Sequence, residues 1–191
     1  ILVAGAVAGL AFLGTPERER ERDPNRRAIS LPPGFSAAIY AQGAIDNPTV
    51  MTFGPAGELY IGDIAGDLWV ARRKADGTAA TPTRFARGFE LLVGLAWKDG
   101  ELFASSAGKI EALRDSDGDG VADARRLVTG NLPVLVFKPH SNNSLTVGPD
   151  GRLYFGVGST SNTGIETEPL ASAILSVSPD GGPPTVVARG F

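Results

Sequence analysis

The strongest constraint on this chain is that it repeats itself. VMTFGPAGELYIGDIAGDLWVAR (50–72) is followed by VGLAWKDGELFASSAGKIEALRD (93–115), and then by SLTVGPDGRLYFGVGS (144–159), which continues to SAILSVSPDGG (172–182). Each copy reads as an apolar strand, a tight turn, a second strand and a third strand. The alternation in ELYIGD and RLYFGVG has the period of 2 expected of strands. The turn words GPAG, KDG and GPDG supply residues that tight hairpins need, with glycine free to take positive φ. Between copies runs an edge-like strand ending in glycine: IYAQG (39–43), RFARG (84–88), RLVTG (126–130) and VVARG (186–190). The terminal glycines, Gly43, Gly88, Gly130 and Gly190, are spaced by 45, 42 and 60 residues. A four-stranded unit at that period marks a β-propeller blade. The longer third spacing comes from an insertion, SNTGIETEPLA (161–171). A β-sandwich would not require the same turn words to recur.

The expected fold is therefore all-β, a partial β-propeller of about three four-stranded antiparallel blades, at about 43–88, 88–130 and 130–190. The domain spans 30–191. Three blades would leave long open sheet edges, which natural sheets avoid, so a longer protein is expected around this chain. The 25 glycines and 14 prolines fit a chain rich in turns. A net charge of −3 and the absence of a basic face speak against a nucleic-acid partner. With no cysteine, disulfides and thiolate metal sites are excluded.

Ahead of the repeat, ILVAGAVAGLAFLG (1–14) is uncharged and apolar. It reads as an apolar helix, shorter than the roughly 18–20 residues of a full span. A signal-peptide core or a membrane-anchor remnant is expected, and with it an exported protein: periplasmic, extracellular or membrane-anchored. Residues 15–29, opening TPERERERDPNRRA, form a charged linker.

Two stretches carry candidate chemistry. RDSDGDGVADARR (114–126) places Asp115, Asp117, Asp119 and Asp123 around Gly118 and Gly120. Carboxylates at alternate positions can converge on a hard cation, and Ca2+ is the expected ion. Position twelve is Arg126 rather than a bidentate glutamate, so this is a DxDxDGxxD loop and not a full EF-hand. A solvated acidic hairpin tip is the plainer reading, since Asp and Gly are also turn formers. The second stretch, PHSNNS (139–144), holds the only histidine, His140, just before an inner strand. Neutral imidazole suits a general base near pH 7. Asn142, Asn143 and Ser144 add donors and acceptors beside it, and Asn142 and Asn143 are candidate substrate-binding residues.

These stretches, together with LPPGFSAAIYAQG, GLAWKDGELFASS, PHSNNSLTVGPDGRLYFGVGSTSNTG, SAILSVSPDGG and VVARGF, resemble the glucose/sorbosone dehydrogenases. The resemblance covers residues 30–191. It implies a six-bladed propeller using pyrroloquinoline quinone (PQQ) to oxidise a sugar or aldehyde. It implies that His140 is the general base, taking a hydroxyl proton while hydride passes to the quinone. The family's PQQ-binding residues lie mostly in later blades, so none is assigned here. Pro139 stands where the soluble glucose enzymes carry an acid, which favours the sorbosone-like branch. The alternatives are a non-catalytic NHL-like propeller that binds a protein or glycan, and a lactonase-type hydrolase with a central calcium.

Overall fold

A computed structural model of the chain describes residues 30–134, 141–161 and 163–190. The apolar helix expected at 1–14 and the linker at 15–29 lie outside the described residues. No described helix is long and apolar enough to cross a membrane. Within the first unit, residues 1–39, the described part turns at 32–35, where the Phe35 N–H donates to the Pro32 carbonyl at 3.2 Å.

The second unit, residues 40–191, is built from strands. β1 (Pro48–Phe53), β2 (Leu59–Asp63), β3 (Asp67–Ala71) and β4 (Thr83–Arg87) form one antiparallel sheet. β5 (Gly94–Lys98), β6 (Glu101–Ser106), β7 (Lys109–Arg114) and β8 (Ala124–Thr129) form a second. β9 (Asn142–Val147), β10 (Leu153–Val157), β11 (Ala173–Val177) and β12 (Thr185–Arg189) form a third. Each is a simple meander, with strands paired in chain order. These are the three four-stranded blades of a partial propeller.

Local chemistry explains the hairpins. Gly57 and Gly151 close the first and third at φ +81° and +78°, with matching bonds from Gly57 N–H to Gly54 O and from Gly151 N–H to Gly148 O. Asp99 and Gly100 turn the second in two residues, both at positive φ. Period-2 alternation then sends neighbouring side chains to opposite faces. On β6, Leu102 packs between the first and second blades with Leu68, Phe85, Leu92 and Leu113. Its neighbour Phe103 packs between the second and third with Ile110, Leu153, Phe155 and Leu175.

One expected strand is absent. Residues 39–43 (IYAQG) form no strand. Tyr40 and Ala41 instead pack on the face of the first sheet against a cluster containing Leu59, Ile61 and Trp69. The Tyr40 carbonyl accepts from Ala79 N–H, in the loop after β3. The segment lies across a face and so cannot serve as an edge.

Consecutive arginines on β8 tie the blades together. Arg125 pairs with Glu111 of its own blade through bonds of 3.0 and 2.6 Å, and donates to the Arg87 carbonyl of the first. Arg126 pairs with Glu101 and reaches the Pro179 carbonyl of the third.

Candidate functional site

The three first strands, β1, β5 and β9, start next to one another. The Thr49 hydroxyl donates to the Leu92 carbonyl, which joins the start of β1 to that of β5. A Cβ added to Gly94 would lie 2.4 Å from the Ser144 carbonyl oxygen. Glycine is thus required where β5 meets β9. This shared end of the blades is the candidate site.

Asn142 is fully buried there. Its amide nitrogen donates to Ser105 Oγ at 2.6 Å, to Ser106 O at 2.8 Å and, more weakly, to Lys109 O at 3.3 Å. Its amide oxygen accepts from Gly108 N–H at 2.8 Å. Every partner belongs to the β6–β7 hairpin of the second blade. The side chain expected to meet a substrate is a fastener between blades, a role that its place as the first residue of β9 does not announce. Asn143 is exposed, and one amide N–H donates to Ser141 O at 2.9 Å. Ser144, also exposed, sits at φ +57°. The buried hydroxyls of Ser106 and Ser141 have no hydrogen-bond partner among the described residues. His140, the expected base, lies outside the described residues; along the chain it is two residues from the Asn142 fastener.

The loop joining β10 to β11 belongs to the same end, because Val157 pairs with Asn142 and Gly158 N–H donates to Ser141 O. Glu166 organises this loop. Its carboxylate accepts from Thr160 N–H at 2.6 Å, Glu168 N–H at 2.8 Å, Thr160 Oγ1 at 2.8 Å and Thr167 N–H at 2.9 Å. Those bonds, the Thr160 N–H first, pull its carboxyl down to about 2. The sequence shows only an acid within an insertion, because the partners are mostly backbone groups.

The acidic loop connects β7 to β8, away from the strand starts. Carboxylate oxygens of Asp115, Asp117 and Asp123 lie within 4.8 Å of one another, while Asp119 is outside that group. Asp115 accepts from Gly118 and Gly120 N–H at 2.7 and 2.9 Å. Desolvation raises its carboxyl, but the Gly120 and Gly118 N–H groups outweigh this and hold it below the ordinary value. Asp119 accepts from Val121 N–H at 2.7 Å, and Asp123 from Ser116. Arg72 of the first blade reaches the loop at the Gly118 carbonyl. Three converging carboxylates suit a hard cation, with the remaining ligands from carbonyls and water.

For PQQ, a tricarboxylate, the donor set at the strand starts is wrong. Residues 46–50, 91–95 and 141–145 carry one acid, Asp46, and no cation. This stretch offers hydroxyls, amides and apolar groups, and by itself provides no cradle for that charge.

The chain's structure is similar to an oxidoreductase named as a glucose dehydrogenase from Thermus thermophilus, at a TM-score of 0.56 and 22% identity over 74% of this chain and 46% of that one. It is similar to the holo form of the pyranose dehydrogenase PQQ domain from Coprinopsis cinerea, at 0.59 and 15% over 74% and 36%. A gluconolactonase from Xanthomonas campestris scores 0.51 at 18%, over 76% and 48%. The chain spans less than half the length of each. At these identities the likeness is one of fold. No curated protein matches by sequence. A family model described as "Domain of unknown function (DUF7133)" matches residues 22–185.

Proposed function

The chain belongs to the DUF7133 family, and we propose that it forms part of an exported propeller dehydrogenase acting on a sugar or a related aldehyde. The observation that carries this reading is the shared end of β1, β5 and β9. There, Asn143 and Ser144 of the third blade are exposed, three and four residues along the chain from the only histidine of the sequence. His140 is the general base in this account. On this reading it would accept the proton of the substrate's C1 hydroxyl, while a quinone held elsewhere in the whole protein would supply the two-electron acceptor. Asn143 contributes hydrogen bonds to the substrate. PQQ is the hydride acceptor proposed for the whole protein, and the residues that would hold it are not those of the described strand starts. Calcium is proposed at Asp115, Asp117 and Asp123, with Asp119 in support, as a brace between the β7–β8 hairpin and the first blade.

The test is dye-linked oxidation of an aldose panel by the full-length protein supplied with PQQ and calcium. Wild type should turn over at least one aldose or aldehyde. His140→Ala should lose most turnover while keeping its circular dichroism spectrum. Full turnover by a folded His140→Ala protein removes the base from the account. A second reading, a non-catalytic propeller that binds a glycan or protein, draws on the commitment of the Asn142 amide to blade contacts. Sugar binding without turnover under these conditions would favour it.

A further inference from the structure

β9 is not a regular strand. Tyr154 of β10 pairs with Thr146, but Gly156 pairs with Asn143. Two steps on β10 thus oppose three on β9, and Phe155 faces both Ser144 and Leu145. This is a β-bulge, with Ser144 in the left-handed region at φ +57°. In a flat strand Asn143 and Ser144 would point to opposite faces. Here both are exposed, between buried Asn142 and buried Leu145.

The bulge is not a general need of these blades. β5, the equivalent strand of the second blade, pairs with β6 without a shift from Gly94 to Lys98. The first blade has a shift between Pro48 and Val50, but the Thr49 hydroxyl there is committed to the Gly62 and Leu92 carbonyls. In the third blade the surroundings hold the irregularity in place on both sides. Asn142 is anchored to the β6–β7 hairpin, and Gly94 leaves room for the Ser144 carbonyl. A non-glycine residue at positive φ is costly and persists where neighbours over-determine it, a situation concentrated at ligand sites.

We infer that Ser144 is a ligand-contacting residue, and that the bulge presents its hydroxyl beside the Asn143 amide to recognise adjacent hydroxyls of a polyhydroxy substrate. The inference rests on the preceding section in taking a sugar as the ligand. Its chemistry follows from the pair. A hydroxyl both donates and accepts, and the amide adds an N–H and a carbonyl oxygen. Neighbouring hydroxyls on a sugar ring need such mixed partners. A simple aldehyde offers one acceptor and gains little from the second group.

Ser144→Gly separates ligand contact from a purely structural bulge. Glycine takes positive φ freely, so the backbone is relieved while the hydroxyl is lost. Glucose and arabinose binding to the full-length protein would be measured by calorimetry, with melting temperature in parallel and propanal as the control ligand. The expected result is sugar binding weakened about 2- to 10-fold, propanal unchanged, and a melting temperature equal to or above wild type. Unchanged sugar binding in Ser144→Gly overturns the inference. So does weaker binding with a lowered melting temperature, which would mean the serine acts through the fold. If wild type binds neither sugar the inference also fails, whereas the dehydrogenase reading is judged separately by dye-linked turnover of aldehydes on the same preparation.

Discussion

Replacing Asn142 with alanine removes one side chain from the junction of the second and third blades, and its cost can be worked from the bonds it makes. Three are well placed, at 2.6, 2.8 and 2.8 Å, and one is long at 3.3 Å. A typical bond contributes about 1 kcal/mol net, but a buried partner left unpaired costs about 1–3 kcal/mol. The Gly108 N–H and the Ser105 hydroxyl lose their Asn142 partner by this change. The loss is therefore about 3–5 kcal/mol, or about 2 kcal/mol if water enters and satisfies part of the gap. That is a large share of a domain's typical stability of about 5–15 kcal/mol. Urea denaturation of the full-length protein at pH 7 reads it directly. Hydrogen exchange at the Gly108 amide, whose acceptor is the Asn142 oxygen, reports the same contact locally and should speed up. Asn142→Asp keeps that acceptor but sets a carboxylate against the Ser106 and Lys109 carbonyls, so it should cost at least as much. A loss under about 1 kcal/mol for the alanine variant, within the range of ordinary surface changes and single bonds, would refute the fastener.

Two further outcomes follow from charged groups. Desolvation raises the Glu111 carboxyl, but its bonds to Arg125 and Lys109 outweigh that and leave it below the ordinary value; Arg126 does the same to Glu101. A depressed folded value contributes stability that is complete above the unfolded value, about 4.3, and is lost as pH falls through the folded one. Wild type should thus lose more stability between pH 5 and about 3 than a Glu111→Gln, Glu101→Gln double variant; parallel urea midpoints for the two proteins would count against the paired arginines. Calcium should raise the melting temperature of wild type and leave an Asp117→Ala, Asp119→Ala variant unmoved, and an equal rise in both would place the ion elsewhere.

The blades were legible because their signals are local. Hairpin words and alternation lie within a few residues of each other, and so β2, β6 and β10 stand where the repeat puts them. IYAQG looked like its counterparts RFARG and RLVTG, yet a strand needs an edge to pair with, and Tyr40 and Ala41 meet a face. The meaning of Asn142 was hidden for a different reason. Its partners are 33–37 residues away along the chain, and Gly108 and Ser106 contribute backbone groups that any residue would have. Ser144 gave no sign of positive φ, because serine has no preference for it and the bulge comes from the fit of β9 against Gly94 and β10. Glu166 was silent although its partners lie within six residues, because most of them are backbone N–H groups that any residue would have. Polar residues in this chain announce their presence in the sequence, but whether they face a ligand or a neighbouring blade depends on tertiary contacts.

The proposed function gives this propeller a quinone-dependent oxidation to serve. Calorimetric titration of the full-length, calcium-loaded protein with PQQ tests it most directly, followed in parallel by the quinone's absorbance. The account predicts saturable binding with about one quinone per chain and a matching spectral shift, retained in the folded His140→Ala variant because that residue acts on the substrate. No binding heat and an unperturbed quinone spectrum would contradict it.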